Sequence, residues 1–378
     1  MPQVSVPPWL LGLGCTALVL GSGCLVRLGS QPAATPPAPV VAAPALVGPM
    51  PNLSTSPTSN PGAASNPGQA SNPGQAGDGS QPSQAEPGPV PVLVLPSDPA
   101  LPAAGGLRYP LVPADAGAIA ALLSAVEPAL RAPTTPAAEL AALGHQQQVL
   151  YRVLAHRQEL AQRVRAQLPA RWQGVFDHHL AARRAFLAMH PRRQRPSQLP
   201  AWRIIQPEPA AKLLGYYREA AAATGIAWQV LAAVNLVETG MGRIDGISVA
   251  DARGPMQFLP STWAEPGIGN GADIRDPRSA IHAAARYLVR RGGLKDIRKG
   301  LWGYNNSDHY GEAVLHYAAL LRQDPAAYVG LYHWQIHFAS SAGDLWLPPG
   351  YDEPRPIAVA AWLARMPAGR PPTGSSGY

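Results

Sequence analysis

Cysteine is almost absent from this chain of 378 residues, which contains two cysteines, Cys15 and Cys24, both near its start. No residue after Cys24 can therefore form a disulfide or act as a cysteine nucleophile. Charge is also scarce, since charged residues make up 14% of the chain, whereas there are 44 prolines and 37 glycines. This balance indicates that a large part of the chain is not a packed domain, and it leaves one medium-sized globular unit.

The first 29 residues lack the positive charge that usually opens an export signal, because no Lys or Arg precedes Arg27. Residues 9–26 are apolar, which is typical of a signal sequence or a short membrane anchor. The residues from Gly21 to Cys24 are similar to a lipoprotein cleavage box, although Gly21 stands where that box prefers Leu. A lipid-modified Cys24, an uncleaved anchor and an ordinary signal peptide all stay open. Each of them predicts an exported protein of the cell envelope, either attached to the membrane or secreted.

Residues 30–106 are rich in Pro, Ala, Ser, Gly and Gln, and they contain a repeated hexamer that starts at Ser59, Ser65 and Ser71. A segment of this composition cannot bury a core, so a disordered linker is predicted. Proline stiffens such a segment while glycine and serine loosen it. We therefore expect a semi-extended tether.

The rest of the chain has helical periodicity and no convincing strand, so the predicted fold class is mainly α. We predict an N-terminal helical subdomain over residues 107–205, a second helical domain over residues 206–338 and a C-terminal tail over residues 339–378. Helices are predicted over residues 116–126, 136–168 with a break at Gly144, 170–189, 209–223, 228–238, 277–291 and 310–322.

Glu238 ends an apolar helical pattern in which Val234 lies on the same face, so its carboxylate is aimed at a core or a cleft. Gly240 and Gly242 end this helix, which places the acid near the negative end of the helix dipole. Burial and the dipole both favour the protonated form of the acid. A neutral carboxylic acid is what general-acid catalysis needs, whereas a solvated Glu at a fraying helix end would be idle.

Two further motifs follow Glu238 and decide between these interpretations. Residues 238–239 are Glu-Thr, residues 254–257 are Gly-Pro-Met-Gln and residues 303–305 are Gly-Tyr-Asn. In order and spacing they resemble the Glu-Ser, Gly-Leu-Met-Gln and Ala-Tyr-Asn pattern of the soluble-lytic-transglycosylase (SLT) superfamily, lysozyme-like enzymes that cut the peptidoglycan glycan strand. The resemblance covers about residues 206–338, and it implies a lysozyme-like catalytic domain there, of the branch found in exported bacterial enzymes.

The resemblance implies a mechanism with one acid. Glu238 protonates the oxygen between N-acetylmuramic acid and N-acetylglucosamine, then takes a proton from the muramoyl 6-hydroxyl, which leaves a 1,6-anhydro end. Tyr304 is implied to orient Glu238 or the sugar. The substrate-binding residues that the resemblance implies are Thr239, Met256, Gln257, Tyr304 and Asn305. Met256 and Phe258 can equally be core residues.

Two alternative functions stay open at this point. A muramidase would use Glu238 together with Asp245 or Asp251, which both precede the Gly-Pro-Met-Gln run, and its hydrolysis would leave a reducing end. A non-catalytic peptidoglycan-binding scaffold would retain the fold, but it would have no need for a buried acid.

Other chemistries find little support in the sequence. His333 and His337 are four residues apart and His178 and His179 are adjacent, but neither pair belongs to a zincin motif, so structural histidines are predicted. Ser261 does not lie in a Gly-x-Ser-x-Gly motif, which sets a serine hydrolase aside. No metal and no cofactor is predicted.

The positive charge of the chain is unevenly distributed. Residues 106–200 contain 12 arginines and 5 acidic residues, although the net charge of the whole chain is +7. An Arg-rich helical surface suits the acidic polymers of a cell wall, and a solvated helix face is the alternative. No motif that reads a groove or stacks on bases is present, so nucleic acid is not a predicted partner.

Overall fold

The structure is a computed structural model, and it describes residues 93–97, 104–189 and 195–375. Over these residues the chain is mainly helical, as predicted, and no helix among them is both long and apolar enough to cross a membrane. The predicted signal or anchor and most of the predicted linker lie outside the described residues. The helices are α1 (Ala116–Arg131), α2 (Ala137–His156), α3 (Gln158–Gln167), α4 (Ala170–Ala188), α5 (Ala210–Thr224), α6 (Trp228–Thr239), α7 (Pro260–Trp263), α8 (Pro277–Arg290), α9 (Ile297–Asn305), α10 (Asp308–Gln323), α11 (Ala327–Tyr332) and α12 (Val359–Arg365).

Two predicted helix boundaries were wrong. Helix α1 continues through Pro128, and its last turn is held by Arg131, whose guanidinium donates to the backbone and carboxylate oxygens of Glu127 at 2.8 and 2.5 Å. Helix α2 has no break at Gly144. A Cβ at Gly144 would lie 2.6 Å from Cβ of His333, so this glycine serves close packing between two elements rather than a turn.

The largest core surrounds helix α6. Helix α10 packs against both α4 and α6, while α5 packs against α6 and α8. Leu231 and Val234 of α6 share this core with Val314 of α10 and Phe186 of α4. Of the helices predicted as an N-terminal subdomain, α4 contributes to the core around Glu238, whereas α1, α2 and α3 share a separate apolar cluster with one face of α4.

Six short strands in the described part of the chain correct the prediction that the chain has none. They form three antiparallel pairs, β1 (Gln198–Leu199) with β6 (Ile357–Ala358), β2 (Trp202–Ile204) with β3 (Ile244–Gly246), and β4 (Ile336–Ser340) with β5 (Gly343–Leu347). Strands of two to five residues are too short to show a clear alternating pattern, and two of the three pairs join segments far apart in the chain.

The predicted limits of the linker and the tail are also corrected. Leu93 and Leu95, assigned to the linker, pack against an apolar cluster on α1 and α2. In the predicted tail, Trp346 is fully buried and Trp362 nearly so. The folded part of the chain therefore starts before residue 106 and includes most of the segment after residue 338.

Candidate active site

Glu238 lies in the last turn of α6, and its side chain is almost fully buried at 1% exposure. The helix ends as predicted at Gly240, which adopts a left-handed conformation with φ of 61° and donates its N–H to the carbonyl of Leu236 at 3.0 Å. Met241 and Gly242 continue with positive φ. This tight end turns the chain away at once, so the acid stays inside the protein.

A phenol holds the Glu238 carboxylate. The hydroxyl of Tyr310, in the first turn of α10, donates to Oε1 of Glu238 at 2.8 Å. Tyr304 was implied to orient Glu238 or the sugar, but its hydroxyl donates instead to the backbone carbonyl of Met256 at 2.8 Å. The rings of Tyr304 and Tyr310 stack nearly parallel with centroids 6.2 Å apart. Tyr310 therefore holds the acid, and Tyr304 fixes the loop opposite it.

Both phenols remain donors over the physiological pH range. Burial is the main cause that raises the pKa of Tyr304 and of Tyr310 well above the usual value of 10, and the negative charge of Glu238 adds to it. A phenol that cannot ionise keeps its proton available for a hydrogen bond to a carboxylate. When Glu238 is ionised, Tyr310 is therefore the donor of the Tyr310–Glu238 hydrogen bond.

Thr239 does not line the cavity, and its substrate-binding role stays a prediction. It is fully buried, and its hydroxyl donates to the carbonyl of Pro255 at 2.6 Å. The side-chain amide of Asn235 donates to the same carbonyl at 2.7 Å and is itself fixed by the hydroxyl of Tyr217, which donates to Oδ1 at 2.6 Å. Asn235 and Thr239 therefore tie the end of α6 to the Gly-Pro-Met-Gln loop.

The side chain of Met256 is fully buried in the main core. This burial favours the alternative interpretation of Met256 as a core residue. Gln257 is half-buried, adopts a positive φ of 49°, and donates from Nε2 to the carbonyl of Gly254 at 2.9 Å. At Gly254, with φ of 72°, a Cβ would lie 2.0 Å from the carbonyl oxygen of Ile274. No other residue fits this turn without moving the backbone.

A cavity opens beside the acid, and its empty space, including the part open to solvent, is about 380 Å³. Aromatic rings form much of its wall, since the ring centroid of Phe258 lies 5.9 Å from that of Tyr287 and 5.9 Å from that of Tyr304. Asn305 is half-buried beside Tyr304 but does not line this cavity. The lining residues are Glu238, Gln257, Phe258, Leu259, Thr262, Tyr287 and Tyr304. Glu238 is the single carboxylate among them.

The two aspartates considered as a second carboxylate are engaged elsewhere. Asp245 lies on β3 and forms an ion pair with Arg203 on the neighbouring strand β2. Asp251 is exposed and pairs with Arg253 at 2.9 Å. Neither aspartate lines the cavity that contains Glu238.

Two of the histidines singled out in the sequence each lie beside a third histidine from another element. His337 is buried, and its Nε2 lies 3.2 Å from Nε2 of His145. His178 lies 3.3 Å from His316, ring nitrogen to ring nitrogen. Within the described residues no group of three His, Cys, Asp or Glu side chains is arranged to hold a metal ion.

Residues 215–312 match the family model described as the transglycosylase SLT domain. This segment is an SLT domain. It contains every predicted site residue and also Tyr310, and the match confirms the resemblance to the lysozyme-like lytic transglycosylases. No curated protein and no solved structure matches the chain.

Sequence reasoning missed Tyr310 and Asn235. Tyr310 was predicted only as the first residue of a helix, although it lies four residues before Val314 and so on the same face. A buried tyrosine normally needs a hydrogen-bond partner for its hydroxyl. Asn235 is an amide in an otherwise apolar stretch, one turn before Glu238. A polar group on a core-facing helical stripe, close to a suspected catalytic acid, was the available signal in both cases.

Proposed function

We propose that the protein is a peptidoglycan lytic transglycosylase that cleaves the β-1,4 bond between N-acetylmuramic acid and N-acetylglucosamine and leaves 1,6-anhydro ends. The observation that carries this proposal is that, among the described residues, Glu238 is the one carboxylate lining its cavity. A hydrolase of the usual two-carboxylate type needs a second one within reach. The SLT domain supports peptidoglycan as the substrate and an activity of the transglycosylase type.

In the proposed reaction, protonated Glu238 gives its proton to the glycosidic oxygen while the bond from that oxygen to muramoyl C1 breaks. The acetamido oxygen of the same sugar stabilises the positive charge that develops at C1. The Glu238 carboxylate then removes the proton from the muramoyl 6-hydroxyl, and O6 bonds to C1. The acid is regenerated, and no water is consumed.

The neighbouring side chains take supporting roles in this proposal. Tyr310 donates to Oε1 of Glu238 and so orients the carboxyl group that exchanges the proton. Tyr304 and Gln257 line the cavity, where they contact the sugars. Asn305 contributes at the rim beside Tyr304. Thr239 acts indirectly, by fixing the loop that presents Gln257.

The products of purified sacculi test the proposal. Mass spectrometry of the released muropeptides distinguishes anhydro ends from reducing ends, because the anhydro product is lighter by one water molecule. We expect anhydro ends in the wild type. Reducing ends would instead identify a muramidase, and a failure to release products while binding sacculi would identify a scaffold.

We further propose that the protein acts at the cell envelope, where its substrate lies. Residues 1–29 would serve as the signal peptide or membrane anchor, and the linker that follows would let the catalytic part reach the wall. Fractionation of cells that express the full chain, followed by detection of the protein in membrane and soluble fractions, tests this placement. Recovery with the cytoplasmic proteins would contradict it.

A further inference from the structure

A basic edge borders the candidate cleft. Within residues 286–299 the chain has six basic residues and a single acid, Asp296. Four of the basic side chains are exposed on the turn between α8 and α9 and on the start of α9, and together we call them the basic edge: Arg291, Lys295, Arg298 and Lys299.

The basic edge is connected to the cavity through Arg291. Its Nε donates to the carbonyl of Gly303 at 3.1 Å, directly before Tyr304. Its guanidinium lies 5.6 Å from the ring centroid of Tyr287, a cavity-lining residue. A Cβ at Gly303 would lie 2.6 Å from Nε of Arg291, so the close approach depends on this glycine. At Arg291 the basic edge therefore touches the wall of the cavity.

The charge of the basic edge is not neutralised by its surroundings. Arg290, just before it, is paired with Glu265 at 2.8 Å, but no ion pair engages Lys295, Arg298 or Lys299 within the part of the chain that the structure describes. The single acid, Asp296, accepts hydrogen bonds from the backbone of Arg298 and Lys299 and so caps α9. These cations are free to meet an anion from outside.

An exposed aromatic ring accompanies the cations. Trp302 is 50% exposed, and it follows Arg298 and Lys299 by four and three residues on α9, so the three share one helix face. Cations next to an exposed aromatic ring suit a ligand that has both carboxylates and apolar groups. The peptide stems of peptidoglycan, which hang from the muramoyl sugars, have this chemistry.

We infer that the basic edge binds the carboxylates of the peptide stems and so makes the protein select glycan strands that carry peptides. This inference rests on the proposed function for its substrate class. It does not require that the bound strand is cleaved, which allows binding and cleavage to be tested separately.

The test compares two double variants in the Glu238→Gln background, which keeps sacculi intact during a binding measurement. Lys295→Gln with Lys299→Gln removes two charges from the basic edge. Arg163→Gln with Arg322→Gln removes two exposed charges from α3 and from the far end of α10. Each protein is sedimented with sacculi that were first freed of phosphate polymers, either with their peptides or after an amidase has removed them.

We expect the parent protein to bind peptide-bearing sacculi about threefold to tenfold more tightly than stripped ones, since each exposed ion pair contributes little. The Lys295/Lys299 variant should lose this preference, and the Arg163/Arg322 variant should keep it. Higher salt should reduce the preference, because exposed charges are screened. Equal binding of both kinds of sacculi by the parent, or equal losses in the two variants, would overturn the inference.

The same proteins with Glu238 restored separate this inference from the proposed function. If the expected binding pattern appears but no anhydro ends form, the inference about the basic edge is supported and the transglycosylase proposal fails. If anhydro ends form from stripped and peptide-bearing strands at equal rates and the parent has no binding preference, the transglycosylase proposal stands and the inference about the edge fails.

Discussion

Two buried carboxylates, Glu238 on α6 and Asp344 on β5, differ in the groups that hold them. Both are about 1% exposed. Asp344 receives three hydrogen bonds of 2.5 to 2.9 Å from the guanidinium of Arg152 on α2, whereas Glu238 receives one from the phenol of Tyr310. The first pair joins the N-terminal helices to the C-terminal hairpin, and the second lies beside an open cavity.

The difference in partner decides which carboxylate can exchange a proton. Burial alone would raise the pKa of Asp344, but Arg152 and His337 outweigh it and hold the pKa well below its usual range. Protonating Asp344 would leave a buried guanidinium without its counter-charge. Protonating Glu238 has no such consequence for Tyr310, because a phenol is neutral. The structure thus separates a carboxylate that stabilises the fold from one that is suited to chemistry.

The largest effect is expected at Glu238. Glu238→Gln keeps the shape of the side chain but cannot deliver a proton, and positioned proton transfer is worth about 10² to 10⁴ in rate. Cleavage of sacculi should fall by at least that range, while the circular dichroism spectrum and glycan binding stay close to wild type. Activity above roughly a tenth of wild type would remove Glu238 from its role.

The same change at the other carboxylate should affect stability instead. Asp344→Asn leaves the buried charge of Arg152 uncompensated, which typically costs about 3–5 kcal/mol of unfolding free energy. Denaturant unfolding measures this loss, and Asp251→Asn in an exposed ion pair is the control, with about 1 kcal/mol or less expected. If Asp344→Asn unfolded like the control, the contrast between the two carboxylates would not hold.

Tyr310→Phe should weaken catalysis without unfolding the protein. A hydrogen bond to a charged group contributes about 1.5–3 kcal/mol, so kcat should fall roughly tenfold to hundredfold with little change in KM. Tyr304→Phe is the matched comparison, since it removes the bond to Met256 and keeps the one to Glu238. The pH profile of kcat should shift in Tyr310→Phe and stay in place in Tyr304→Phe. The opposite pattern would return the positioning role to Tyr304.

Low pH should reduce the stability of the protein through His337, which lies beside Asp344. Burial is the main cause that lowers the pKa of His337 to about 4, and Arg152 adds to it. The unfolded chain, with an ordinary value near 6.5, therefore takes up the proton first. Stability is full above about pH 6.5 and falls towards pH 4, by up to about 1.4 kcal/mol per pH unit for this one group.

Replacing the histidine tests that slope. His337→Gln should lower stability at neutral pH, because it removes the contact with His145, but it should flatten the loss between pH 6.5 and 4. Urea unfolding at several pH values compares the two slopes. Parallel curves for wild type and variant would show that His337 does not carry the acid sensitivity. Other buried histidines, including His333 with a pKa lowered to about 4, should keep some slope in the variant.

The sequence predicted the candidate site better than the strands around it. Glu238, Gln257 and Tyr304 lie within contiguous motifs, so their proximity could be expected from a family pattern. Asp344 and Arg152 are separated by nearly two hundred residues and have no motif, so their contact could not be inferred. A pair of this kind depends on tertiary packing, which local periodicity does not encode.

Helix α9 shows a second limit. Its sequence contains Gly300 and Gly303, which lower helix propensity, and no helix was predicted there. In the structure a Cβ at Gly300 would lie 2.7 Å from Cα of Gly293. A Cβ at Gly303 would lie 2.6 Å from Nε of Arg291. The glycines permit close contacts of α9 with the turn before it. Tertiary packing here outweighs the cost to the helix.

The smallest effects are expected at Asp245 and Asp251, and they decide between lyase and hydrolase. Both aspartates sit in surface ion pairs, with Arg203 and Arg253, and neither lines the cavity. If Glu238 is the single acid, Asn at either position should change the rate modestly, and the products should keep their 1,6-anhydro ends. Loss of a second catalytic carboxylate would instead cost several orders of magnitude, because no other group could activate water. Collapse of activity in either variant with the fold intact, together with reducing ends from the wild type, would make the protein a muramidase.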